Sequence, residues 1–159
     1  MGSDGIARFC GDIGPYVRRD GTISPAWETE KIGFARLPAP MVLSWDPAVE
    51  IRRIRVHKRV VPVYEAAFQA VHEGGFWRFL RVLGGAYHFR VVRGGAKLST
   101  HAFGLATDHD PARNPLGEPP ERCGMPPQVV EIMEGFGFRW GGRFEGRKDC
   151  MHYQFASEY

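Results

Sequence analysis

The 159-residue chain holds no run of about 18 apolar residues, so a membrane-spanning helix is not expected. It has no Cys-x-x-Cys pair, which argues against a structural zinc knuckle. Its three cysteines, Cys10, Cys123 and Cys150, lie far apart, and their odd number argues against a complete disulfide framework. Reduced thiols are the expectation. The first ten residues hold no apolar stretch of leader length, so synthesis in the cytoplasm is expected. Internal repeats and low-complexity tracts are missing too. No charge sign dominates: 21 Lys and Arg against 18 Asp and Glu leave a formal net charge of +3. That suits an anionic partner without demanding one. The charge-dense stretch 51–59, IRRIRVHKR, lacks the interleaved aromatics that stack nucleobases. It is read as a solvated face at the entry to a helix, and no nucleic-acid partner is expected.

What is present fits a single globular domain over 1–159. The hydrophobic share is 43% and the charged share 25%, as in ordinary globular chains. Twenty glycines and twelve prolines predict many turns. Those in the first 45 residues predict an irregular wrap with short strands and no helix. Apolar residues at three- and four-residue spacing predict a helix over 61–73 and a short second one over 75–82, parted by Gly74-Gly75. A strand is expected over 86–92, AYHFRVV, and a third helix over 126–135. In 151–155, MHYQF, Met151, Tyr153 and Phe155 share one face of a half-buried strand, and His152 and Gln154 the other. These elements predict an α+β fold.

Two stretches carry candidate chemistry. In Leu98-Ser-Thr-His-Ala-Phe-Gly-Leu-Ala-Thr-Asp108, a loop or bulge bears His101 and a strand over 105–108 bears Asp108, with Gly104 allowing the kink between them. Alternation turns His109 away from Asp108. The second stretch, Asp149-Cys-Met-His152, supplies another imidazole and another carboxylate. Two histidines, one aspartate and a water make a tetrahedral zinc site with an open position. Hydrolysis at such a site needs a separate carboxylate for the proton of the attacking water, and Asp149 is the candidate. The bland reading, a surface or core imidazole, is kept for His57, His72 and His88. No serine-hydrolase elbow surrounds Ser99, so it is read as a turn-capping or substrate-side hydroxyl. Trp140 is read either as a wall of the substrate cleft or as a core aromatic.

In combination, Ser99-x-His101-x-x-Gly104-x-Ala106-x-Asp108, Gly137-Phe-x-Trp140-Gly-Gly142 and Asp149-x-Met-His152-Tyr resemble the zinc D-Ala-D-Ala carboxypeptidases and L-alanyl-D-glutamate endopeptidases of the VanY type, which include phage endolysins. The likeness runs over 84–155. It implies a compact α+β domain shared with the hedgehog signalling domain, with a zinc cleft on an antiparallel sheet. It implies Zn2+ held by His101, Asp108 and His152, Asp149 as general base, and Arg90 in Tyr87-His-Phe-Arg90 at the scissile carbonyl. For Arg90 the alternative is a salt bridge to a neighbour such as Asp110. The implied substrate is the stem peptide of peptidoglycan, cut at the L-alanyl-D-glutamate bond. Trimming of D-Ala-D-Ala ends and a zinc-containing binding module without turnover are the alternatives. The implied setting is a monomer made in the cytoplasm and acting at the cell wall, as in phage or prophage release. One departure is Cys150, where relatives commonly carry proline. It opens two further readings, a fourth metal ligand or a cysteine nucleophile.

Overall fold

The computed structural model describes residues 3–92 and 94–157, so Arg93 and the ends of the expected 1–159 span lie outside the described residues. The chain begins with α1 (Ser3–Cys10) and α2 (Pro25–Lys31), then a hairpin of two twelve-residue strands, β1 (Ile32–Leu43) and β2 (Asp46–His57). This corrects the expectation of a helix-free wrap over 1–45. Buried Ile6 and Cys10 sit one turn apart on α1. The Ser24 hydroxyl caps α2 by accepting from Ala26 N, and Pro25 occupies the first turn, where a missing N–H is harmless. Pro38 and Pro40 fall inside β1, where the register with β2 shifts between Arg36 and Met41, and such irregularities tolerate proline. The charge-dense stretch belongs mostly to β2, with Ile54 and Val56 buried and Arg53 exposed.

A 3₁₀ turn (Lys58–Val60) leads into α3 (Val61–Glu73), with the bounds expected from the sequence. Its buried stripe is Tyr64, Ala67, Phe68 and Val71. The helix expected over 75–82 shrinks to a 3₁₀ turn, Trp77–Phe79, and strand β3 (Val82–Gly85) already follows. The strand expected over 86–92 is corrected as well. Its amides find partners on unrelated elements: Tyr87 N donates to Arg55 O and His88 N to His101 O. At its end, an isolated bridge joins Val91 to Leu98, with Ser99 N donating to Arg90 O and Val92 N to Lys97 O on either side. The segment is a strap, so strand alternation does not govern it. Strand β4 (Ala106–His109), α4 (Pro127–Gly135), β5 (Arg139–Trp140) and β6 (His152–Gln154) complete the order.

The six strands form one sheet in the order β2-β1-β3-β4-β6-β5. The class is α+β, as expected. The sheet is mixed where an antiparallel one was expected, because β1 and β3 pair in parallel at Val42–Val82 and Leu43–Leu83. Helix α3 lies against β1, and α4 against α3. Trp27, Tyr64, Phe68, Leu80, Met133 and Tyr153 are fully buried in the core. Each apolar side chain of that size contributes about 1.5–3 kcal/mol on burial. No helix among the described residues is long and apolar enough to cross a membrane.

His57, at the end of β2, is 2% exposed. Burial pushes its imidazole down to about 4; the backbone at Cys10 opposes this, while Arg59, Lys31 and Lys58 add to it. Between pH 6.5 and 4 the unfolded chain therefore binds a proton that the folded chain refuses. Stability should fall as the pH drops through that window, by about 2–3 kcal/mol for this residue, and level off below it. Denaturant unfolding of wild type and His57→Gln at pH 7 and pH 4.5 checks this. The variant should lose less on acidification, and equal losses would count against the assignment.

Candidate active site

The site is assembled by one strand register. In the antiparallel pairing of β4 with β6, Asp108 stands opposite His152 and Ala106 opposite Gln154. His101 comes from a 3₁₀ turn, Thr100–Phe103, that precedes β4. Ser99 caps that turn, its hydroxyl accepting from His101 N at 3.3 Å. Gly104 ends it in the left-handed region at φ 69°. A Cβ on Gly104 would meet the backbone of β2 at His57 N, 2.5 Å away, so only glycine allows the turn to sit this close to the hairpin.

Three side-chain atoms converge. His101 Nε2 lies 3.2 Å from Asp108 Oδ1 and 3.2 Å from His152 Nδ1, and His152 Nδ1 lies 2.8 Å from Asp108 Oδ1. Ligand atoms at the corners of a tetrahedral zinc site with 2.0–2.1 Å bonds are about 3.3 Å apart. Two edges of the triangle match that spacing, and the third, from His152 to Asp108, is shorter. The donor chemistry fits as well. His101 Nδ1 lies 2.7 Å from Ala86 O, an acceptor only, so Nδ1 carries the proton and Nε2 turns its lone pair inwards. Burial would raise the Asp108 carboxyl, but imidazole protons pointed at its Oδ1 from His101 and His152 outweigh it and hold the group well below the usual carboxylate range; a divalent cation would take the place of those protons. For His152, burial lowers the imidazole, yet its hydrogen bond to Asp108 wins and the net shift is upward. A carboxylate kept ionised beside two imidazoles is a donor set for a divalent cation, and the three side chains are a candidate metal site.

The triad opens into a cavity of about 510 Å³, which Arg90, Ser99, Phe144, Arg147 and Asp149 also line. Asp149 lies in the turn before β6. Its backbone is held from two sides: Asp149 N donates to Gly141 O at 3.0 Å, and a bridge ties it to Leu116. A Cβ on Gly141 would collide with Asp149 O. Asp149 Oδ1 is buried without a hydrogen-bond partner. Burial pushes this carboxyl up, Asp108 adds to the rise, and His152, His101 and Arg90 oppose it. The two carboxylates of one cavity are thus driven in opposite directions. Arg90 reaches the wall from the strap, and no ion pair joins it to Asp110 among the described residues.

Other residues fall outside the chemistry. Trp140 does not line the cavity; it is 8% exposed and donates from its indole N–H to Cys150 O at 2.7 Å. His109 is a core residue bonded to Leu80 O and Thr107 Oγ1. The expectation of three reduced thiols is corrected, because Cys123 and Cys150 form a disulfide and Cys10 alone is free. Bonded this way, Cys150 has no thiolate to offer as metal ligand or nucleophile. Sequence spacing cannot pair cysteines 27 residues apart. Gln154, 3.0 Å from His152 Nε2, was not singled out from the sequence, although its same-face spacing from His152 was its signal.

An α+β domain with two histidines and an aspartate lining a cavity, beside a separate buried carboxylate, defines the class: a fold with a candidate site for one divalent cation and a second carboxylate next to it. The particular likeness agrees. Residues 93–155, about two fifths of the chain, match a peptidase family model described as D-alanyl-D-alanine carboxypeptidase. The matched segment contains His101, Asp108, Asp149 and His152 and leaves out Arg90. Among curated proteins, no sequence matches the chain.

The disulfide closes a 27-residue separation and ties the Leu116–Cys123 loop to the turn bearing Asp149. Under denaturing conditions without reductant, thiol labelling should find only Cys10, and after reduction all three cysteines. Reduction should lower stability by about 3–4 kcal/mol, or roughly 10 °C in Tm. Three labelled thiols before reduction would overturn the pairing.

Proposed function

We propose that the protein is a zinc metallopeptidase acting on the stem peptide of bacterial peptidoglycan. The observation that carries this reading is the convergence of His101 Nε2, Asp108 Oδ1 and His152 Nδ1 at zinc-ligand spacing, with the buried, unpartnered Asp149 Oδ1 on the same cavity. When bound, zinc supplies a Lewis acid that acidifies a water and polarises a peptide carbonyl. Asp149 takes the proton of the attacking water at its carboxylate and returns it to the leaving amine. Its upward shift brings it nearer the working range of a base at neutral pH. Arg90 neutralises the charge that grows on the carbonyl oxygen. Ser99 acts by holding the His101 turn.

The description of the matching family favours cleavage at the D-Ala-D-Ala end. The L-alanyl-D-glutamate bond is the second reading, supported by the motif likeness of 84–155. Mass spectrometry of products from a defined muropeptide separates them: loss of a terminal D-alanine in the first case, release of the stem from its L-alanine in the second. Action at the wall is supported by the Cys123–Cys150 bond, since disulfides persist in oxidising surroundings outside the cytoplasm.

Metal analysis should find one zinc per chain in wild type and almost none in His152→Ala; equal contents would overturn the ligand set. Asp149→Asn should keep its zinc and lose about 10²–10⁴ in kcat. Loss of the metal instead would make Asp149 a ligand. Arg90→Ala should lower kcat and kcat/KM together by about 10²–10³, with little rescue by lysine. A folded Arg90→Ala variant with near-normal kcat would remove Arg90 from the mechanism.

A further inference from the structure

Gln154 lies two residues beyond His152 on the same face of β6 and is 4% exposed. Its amide orientation is set by its surroundings. The Nε2 group donates to Ala156 O at 3.3 Å and to Ser157 O at 3.1 Å, and both partners are acceptors only. Turning the amide over would set its oxygen against two carbonyls. Oε1 must therefore face the other way, where it accepts from Thr100 Oγ1 at 3.2 Å and meets His152 Nε2 at 3.0 Å. An amide oxygen cannot donate, so it requires a proton on His152 Nε2. With that proton in place, Nδ1, the atom that meets His101 and Asp108, is the one a cation can claim by displacing the proton shared with the Asp108 carboxylate. The same logic fixes His101 in the opposite tautomer through Ala86 O. The two histidines present different ring nitrogens, and each has its own acceptor on the far side.

We propose that Gln154 is a positioning residue for the metal site. Held by the carbonyls of Ala156 and Ser157, it locks His152 in the tautomer that binds the cation through Nδ1. The proposal rests on the zinc reading above and concerns how the chain's last described residues prepare that site. Thr100 takes part in the same positioning. Its hydroxyl bonds to the Gln154 oxygen, and it belongs to the turn that carries His101, so the hydrogen bonds behind His152 reach the element that bears the other imidazole. In this arrangement, changes beyond Gln154 act on the metal without touching it.

The test is zinc affinity, measured by competition with a chromophoric chelator, on the full chain and on two variants. Gln154→Leu removes the acceptor at similar volume and should weaken zinc binding about 10–100-fold. Gln154→Glu keeps an oxygen toward His152 Nε2 but loses the donors to Ala156 O and Ser157 O, so it should bind zinc less tightly than wild type and more tightly than the leucine variant. A leucine variant with wild-type affinity, or a glutamate variant as weak as the leucine one, overturns the proposal. Nitrogen NMR of zinc-loaded wild type provides an arm that needs no variant: His152 should carry its proton on Nε2 and its metal on Nδ1, and the reverse also overturns the proposal. Failure of wild type to bind zinc at all would instead remove the metal reading itself.

Discussion

The site depends on one antiparallel register, Asp108 opposite His152 in the pairing of β4 with β6. The two residues are 44 positions apart, and only this ladder brings their side chains within hydrogen-bond distance. A one-residue slip of β6 against β4 would turn His152 to the other face of the sheet and bring Tyr153, now fully buried in the core, toward the cavity. The register is therefore held by the core as much as by the ladder. Tyr153 is fully buried between flanking residues of the site strand, and Thr107 is fully buried beside the His109 imidazole.

Burial then acts differently on the groups that the register gathers. Asp108 lies between two imidazoles, whose protons, where no cation takes their place, overcome the cost of desolvation and keep it ionised. Asp149 is also buried but has no bonded partner at Oδ1, so desolvation dominates and its carboxyl is pushed up. Two aspartates on one cavity are thereby driven in opposite directions by their partners alone. The proposed mechanism rests on that division, and the hydrogen-bond acceptors behind the histidines extend it outwards: Ala86 O behind His101, and Gln154 behind His152.

The walls are built by less regular parts of the chain. The strap over 86–92 reaches the cavity at Arg90, whose carbonyl accepts from Ser99 N next to the turn that bears His101. The turn bearing Asp149 is confined by the close approach of Gly141 on one side and by the Leu116–Cys123 loop, tied through the disulfide, on the other. Such irregular segments hold position only through packing and cross-links, which explains the number of constraints around this one turn.

Much of this was legible in the amino-acid order. The 3.6-residue spacing of Tyr64, Ala67, Phe68 and Val71 predicts α3 to the residue. The Ser99-x-His101…Asp108 and Asp149-x-x-His152 patterns point to the residues that converge, because strand alternation and a glycine-ended turn are local properties. The first two helices were hidden by neighbouring glycines and prolines, although Ser24-Pro25 at the start of α2 is a capping signal that can be read from sequence. Other features had no local signal. The pairing of Cys123 with Cys150, the failure of 86–92 to form a strand and the retreat of Trp140 behind Cys150 O are decided by which distant segment offers a partner. The sequence by itself determined the residue types of the site and the elements that carry them. Only the tertiary structure decided which lone pairs meet, because tautomers, desolvation and close backbone approaches depend on neighbours that the chain brings together from far apart.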